Sequence, residues 1–156
     1  MTANGHHIVR LEFTSAFEML DFVQIVSDHM SRGIGLDEDA VHWVSVAIRE
    51  SVINAIKHGN RNDETKRVFV EFEAASGAGA QLAICVRDQG EGFDPQVVAD
   101  PLAPENILKS SGRGIFLIRN FMDDVRLQRA AEGGMEIRMV KRAQPPEQPS
   151  ASGGLG

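Results

Sequence analysis

Cysteine is almost missing from this chain: there is one, Cys85, in 156 residues. A single thiol cannot close an internal disulfide, and its place in an apolar, strand-like run makes it a small buried side chain, not a reactive one. Nor is there an excess of positive charge. Sixteen Lys plus Arg against twenty-two Asp plus Glu leave a net charge of −6. That balance argues against nucleic acid as a direct partner while leaving room for a local basic pocket. No stretch approaches the run of about 18 apolar residues that spans a bilayer. Residues 1–7 lack the basic region and apolar core of a secretory leader, so no membrane partner and a cytoplasmic location are expected. The six prolines are confined to Pro95, Pro101 and Pro104, and to Pro145, Pro146 and Pro149. None interrupts a periodic segment, so breakers and pattern agree.

The length suits one domain that can bury a core without metal or disulfide staples. The apolar pattern bounds this domain at residues 6–142. The tail, residues 143–156, has no such pattern and is expected to be disordered.

Residues 6–13 alternate, with Ile8, Arg10 and Glu12 against Val9, Leu11 and Phe13, as in a half-buried strand. From Ser15 to about Ser31 the period lengthens: Phe17, Leu20, Val23, Val26 and Met30 recur at three- and four-residue steps, predicting a helix that Gly33 and Gly35 stop. Asp37 can cap a second helix, with Glu38 and Asp39 opposing the positive end of its dipole. Along it Val41, Val44, Ile48, Val52 and Ala55 form a core stripe. Trp43, Ala47, Glu50, Asn54 and His58 share a neighbouring face until Gly59 and Asn60 end the run.

Residues 67–75 and 80–88 alternate around Gly77 and Gly79, and residues 125–130 and 135–142 around Gly133 and Gly134, predicting two antiparallel hairpins. Each strand has one apolar and one polar face, so the sheet is covered by helices on one side only. The expectation is an α/β (α+β) two-layer sandwich with a mixed, mostly antiparallel sheet.

Three segments carry chemistry. On the second helix Glu50 and Asn54 stand one turn apart on one face. Magnesium takes one or two protein oxygens beside phosphates and water, so one amide oxygen, that of Asn54, is an adequate ligand. A carboxylate one turn away, Glu50, can accept the proton of a group attacking a γ-phosphate. His58 reads as packed near the helix end and Lys57 as a solvated charge. In the second segment Asp88 ends a strand before Gly90 and Gly92. There a fixed carboxylate can accept a hydrogen bond from an exocyclic amine, favouring adenine over guanine, while the glycines let backbone approach a ligand. The third runs from Lys109 through Gly112, Arg113, Gly114 and Ile115 into a helical run to Met122. Free N–H groups at such a start can hold phosphate oxygens, and Lys109 and Arg113 can add charge. The long connection before it, Pro95 to Gly112, has the length of a functional lid.

Taken together and in this order, the segments resemble the GHKL, or histidine-kinase-like, ATPase superfamily of gyrase, heat-shock chaperones, histidine kinases and mismatch-repair proteins. Within it they look most like the bacterial anti-sigma-factor serine-protein kinases, over about residues 8–142. The resemblance implies a Bergerat ATP-binding fold. It further implies ATP and Mg as cofactors, Glu50 as general base, Asn54 as magnesium ligand and Asp88 as the adenine-binding carboxylate. Gly90, Gly92, Gly112 and Gly114 correspond to the glycines of the nucleotide pocket, and Pro95 to Ser111 to the ATP lid. Relatives of this kind form homodimers, hold a sigma factor inactive and phosphorylate a serine of a STAS-type anti-sigma-factor antagonist. One departure is visible: many relatives carry a threonine near the start of the last strand, where this chain has Met135 after Gly134.

Two other functions share these residues: a non-catalytic, ATP-switched regulator of partner binding, and the stand-alone catalytic domain of a histidine kinase. A P-loop and the eukaryotic kinase segments are absent, and His6, His7, His29 and His42 have no zinc-ligand spacing.

Overall fold

The computed structural model describes residues 5–91 and 114–143. Five strands form one sheet: β1 (His6–Thr14), β2 (Arg67–Ala75), β3 (Gln81–Arg87), β4 (Asp124–Arg129) and β5 (Met135–Arg142). Their spatial order is β1-β2-β3-β5-β4. All four pairings are antiparallel, so among the described residues the expected mixed sheet is antiparallel throughout.

The helices are α1 (Leu20–Gly33), α2 (Glu38–Asn54) and α3 (Gly114–Phe121). They cover one face of the sheet, as the alternation of the strands requires. Val68, Val70, Phe72, Leu82, Ile84, Val86 and Met139 point inward and are buried, with Val44, Ile48, Val52 and Ile56 packed against them from the helix layer. Each such side chain contributes about 1.5–3 kcal/mol on burial. The opposite face carries Glu71, Glu73, Arg126 and Arg138, and no helix among the described residues is long and apolar enough to cross a membrane.

The hairpins turn where glycine allows it. Gly77 and Gly79 have φ of 96° and 73°, and Gly133 and Gly134 have 97° and 83°, values open to glycine at little cost. Asp37 caps α2 as its sequence suggests, its Oδ1 accepting from Ala40 N–H at 2.8 Å.

Two expectations are corrected. The first α-helix does not begin at Ser15. Ser15 is held to the end of the sheet, its N–H and hydroxyl both donating to Lys66 O at 3.1 and 2.8 Å, and Ala16 is extended (φ −134°, ψ 129°). A short 3-10 turn, Phe17–Met19, leads into α1, so Phe17 falls off the core stripe and is 48% exposed. Likewise α2 does not run unbroken to Gly59. After Asn54 the chain widens into a π-helical turn, Ala55–Gly59. The extra residue in that turn shifts the helical phase beyond it, and His58 is exposed, not packed. Ala47, read as sharing the face of Glu50, is buried at 1% exposure.

At the far end Ala143 still donates to Ala80 O at 2.9 Å. The rest of the expected tail, residues 144–156, lies outside the described residues.

Candidate functional site

The π-helical turn brings the end of α2 against the end of β3. Asp88 follows β3 and stays tied to β5 by its N–H, which donates to Met135 O at 3.0 Å. Its side chain is 4% exposed. Oδ1 accepts from Gly90 N–H at 2.9 Å and from Met135 N–H at 3.1 Å, while Oδ2 has no donor among the described residues. Burial pushes the carboxyl above its ordinary range, against the pull of those two N–H groups and of Lys66 and Arg87. A buried carboxylate with one satisfied oxygen and one left over can take a hydrogen bond from a ligand.

Three glycines close around it. A Cβ at Gly59 would lie 2.0 Å from Asp88 Oδ2, one at Gly90 2.0 Å from Gly59 O, and one at Gly134 2.2 Å from Asp88 O. Side chains at these places would collide with the carboxylate or its supports. Gly90, which the sequence offers for close approach to a ligand, has to fit against Gly59. Gly59 and Gly134 carry equal demands that sequence reasoning missed. The signal for Gly134 is its place at the hairpin turn leading into β5, beside the Asp88 strand.

Asn60 was missed as well. Fully buried at 0% exposure, it donates from Nδ2 to Ser15 Oγ at 2.7 Å and to Arg67 O at 2.9 Å, and its Oδ1 accepts from Gln89 N–H at 2.8 Å. Directly after it Arg61 and Asn62 adopt φ of 52° and 59°, a left-handed conformation uncommon outside glycine. A π-turn followed by left-handed residues is a costly way to end a helix, and such features gather at functional sites.

Glu50 and Asn54 lie in the last turns of α2, one turn apart and half-buried. Among the described residues no hydrogen bond or ion pair engages either side chain. No three His, Cys, Asp or Glu side chains among the described residues cluster to hold a metal. Asn54 offers one amide oxygen, and magnesium, which keeps water and binds substrate phosphates, is an ion that such a donor suits.

Gly114 opens α3, with Ile115 next in its first turn. The helix is seated by buried Ile118 and by Phe121, whose ring stacks on Trp43 of α2 with centroids 3.8 Å apart and planes at 4°. Gly92, Lys109, Gly112 and Arg113 lie outside the described residues, as does the expected lid from Pro95 to Ser111. Cys85, expected to be buried, is half-buried on the open face of the sheet beside Glu136. Burial and a 3.0 Å contact with Glu136 Oε1 push its pKa up to about 12.

Residues 16–141 match the sequence profile of the histidine kinase-like ATPase domain. The chain belongs to that family. Histidine kinase-like ATPase domains use ATP, and the buried Asp88 carboxylate, with Oδ2 free of donors among the described residues, fits a ligand that brings an N–H of its own. The chain is 29% identical over 140 residues, covering 85% of each, to a serine-protein kinase RsbW of Staphylococcus epidermidis. It is 27% identical over 136 residues to an anti-sigma F factor of Clostridium botulinum, covering 86% of this chain and 93% of that one. In three dimensions it is similar to the RsbU and RsbW domains of a Mycobacterium tuberculosis protein, with TM-score 0.61 and 16% identity. That match covers 89% of this chain and 33% of the other, and it supports the fold of the ATPase domain. The anti-sigma-kinase resemblance drawn from the three motifs thus agrees with the relatives' names.

Proposed function

We propose that this chain is an ATP- and magnesium-dependent serine-protein kinase that acts as an anti-sigma factor and phosphorylates a STAS-type antagonist. The observation that carries this reading is the buried Asp88 carboxylate, with Oδ1 held by two backbone N–H groups and Oδ2 left without a donor among the described residues. Oδ2 accepts a hydrogen bond from the exocyclic amine of adenine. Guanine, which places a carbonyl at that edge, would set lone pairs against the carboxylate.

Along α2 the second half of the chemistry is laid out. Asn54 would hold magnesium through its amide oxygen, one or two protein oxygens sufficing for that ion, which when bound would neutralise phosphate charge. Glu50, one turn away, accepts the proton of the attacking serine hydroxyl while that oxygen adds to the γ-phosphorus and the bond to the β-phosphate oxygen breaks. Gly92 belongs with Gly90 to the glycines of the nucleotide site, and Lys109, Gly112, Arg113, Gly114 and Ile115 serve to hold the phosphates.

The name of one relative, an anti-sigma F factor, supports a sigma factor as the partner that is held; an antagonist that receives the phosphate and a homodimeric state complete the proposed reading. Incubating the purified chain with γ-labelled ATP, magnesium and a STAS-type antagonist should leave label on a serine of the antagonist. If the antagonist stays unlabelled while ATP still changes how tightly it is bound, the chain is an ATP-switched regulator and not a kinase.

A further inference from the structure

Beyond β2 and β3 the sheet does not simply fray. The ladder between them ends at the pair Phe69 and Arg87; from there three residues form a closed ring of hydrogen bonds. Asn60 Nδ2 donates to Arg67 O at 2.9 Å, Arg67 N–H donates to Gln89 Oε1 at 2.7 Å, and Gln89 N–H donates to Asn60 Oδ1 at 2.8 Å. The Gln89 side chain thus stands in for the strand that has left the ladder.

The ring has only one workable orientation. Turning the Asn60 amide over would set Oδ1 against Arg67 O and Nδ2 against the N–H of Gln89, losing both bonds and leaving buried groups unpaired. Its Nδ2 also reaches Ser15 Oγ at 2.7 Å, which anchors the ring to the end of β1.

Asp88 sits directly inside this frame. Its own N–H is held by Met135 O, and the next N–H along the chain is held by Asn60. Asn60 in turn comes directly after Gly59, whose missing Cβ makes the space that Asp88 Oδ2 occupies. Both sides of the carboxylate are therefore referred to one side chain and to its partner Gln89.

Resting on the nucleotide reading above, we propose that Asn60 and Gln89 are positioning residues that fix Asp88 for adenine and so set the preference for adenine over guanine nucleotides. Neither touches the base; they act through the backbone on either side of Asp88. A ring that holds an acceptor to within a fraction of an ångström matters most for the ligand whose donor it must meet. A ligand bound chiefly through its phosphates is less sensitive.

The test is calorimetric titration of the full chain with ADP and, separately, GDP, both with magnesium. Gln89 is exposed, so its replacement leaves the core intact. Gln89→Ala removes the acceptor for Arg67 N–H and should weaken ADP about three- to tenfold, the worth of one net hydrogen bond. GDP should weaken less, so the ADP-to-GDP affinity ratio falls. Gln89→Glu keeps an acceptor oxygen at that place and should restore the wild-type ratio. Asn60→Asp, which retains Oδ1 for Gln89 but loses the donor to Arg67, should move the ratio in the same direction as Gln89→Ala. Equal weakening of both nucleotides in Gln89→Ala, an unchanged ADP affinity, or failure of Gln89→Glu to rescue would each overturn the proposal while the nucleotide site stands. A wild-type chain that binds neither nucleotide would remove the site reading itself, and this inference with it.

Discussion

Two stretches of one helical run meet the candidate site in opposite conditions. Around Asp88 the π-turn, Asn60, Gln89 and three close-fitting glycines leave almost nothing free to move. One turn back along α2, Glu50 and Asn54 stand half-buried with no side-chain partner among the described residues. The contrast fits the task proposed for each part. A group that reads a rigid purine edge gains from being fixed before the ligand arrives. Groups that handle a proton and a hydrated ion need lone pairs uncommitted until substrate is bound.

The sharpest way to separate the two stretches is at Glu50. Glu50→Ala should cut phosphoryl transfer by about 10²- to 10⁴-fold, the range for loss of a general base, and leave ADP affinity unchanged, measured by labelled-phosphate transfer beside calorimetry. If ADP affinity fell in parallel, the division between reading and chemistry would be false.

Asp88→Asn should do the reverse, weakening ADP by about 10- to 100-fold through loss of a charge-assisted hydrogen bond. Its effect on stability has a definite sign. Because burial raises the folded-state pKa of Asp88 above the ordinary 3.8, folding disfavours its charged form. The stabilising contribution is full below the ordinary value and is lost as pH rises through the raised one. At neutral pH the charge therefore costs stability, and Asp88→Asn should melt no lower than wild type, any gain vanishing on acidification. ADP affinity of the wild type should fall as pH drops through that raised value. A lower Tm for Asp88→Asn at neutral pH would show that the carboxylate serves the fold and not the ligand.

A smaller effect is expected from Gly59→Ala. A new methyl 2.0 Å from Asp88 Oδ2 must push the carboxylate aside, an overpacking that costs about 1–3 kcal/mol. Denaturant unfolding should show that loss, and adenine binding should weaken with it. A variant as stable as wild type would mean that the turn around Asp88 is softer than its contacts imply.

Much of this arrangement can be read without coordinates, and the reason is local. Val68, Val70, Phe72 and Leu82, Ile84, Val86 alternate because a sheet covered on one face demands it, and Val41, Val44, Ile48 and Val52 repeat because α2 buries one stripe. Asp88 stands out because a carboxylate at a strand end before a glycine is a local pattern too. The features that escape are set by distant partners. Ser15 gives up the helix for Lys66, 51 residues on. Asn60 has its role only because Gln89 and Ser15 come to it, from 29 and 45 positions away. The run from Ala55 to Gly59 would suit an ordinary α-helix, and nothing within it announces the widened turn. The need for glycine at 59 and 134 likewise appears only when Asp88 is beside them.

The stacking of Trp43 on Phe121 gives the chain an optical gauge of its own. The sequence has one tryptophan, and its indole lies flat against the last residue of α3, the helix whose first turn holds Gly114 and Ile115. Any displacement of α3 alters the quenching and polarity felt by that indole. Emission recorded during a titration would then report on the proposed phosphate end of the site without a dye, a label or a second fluorophore to correct for.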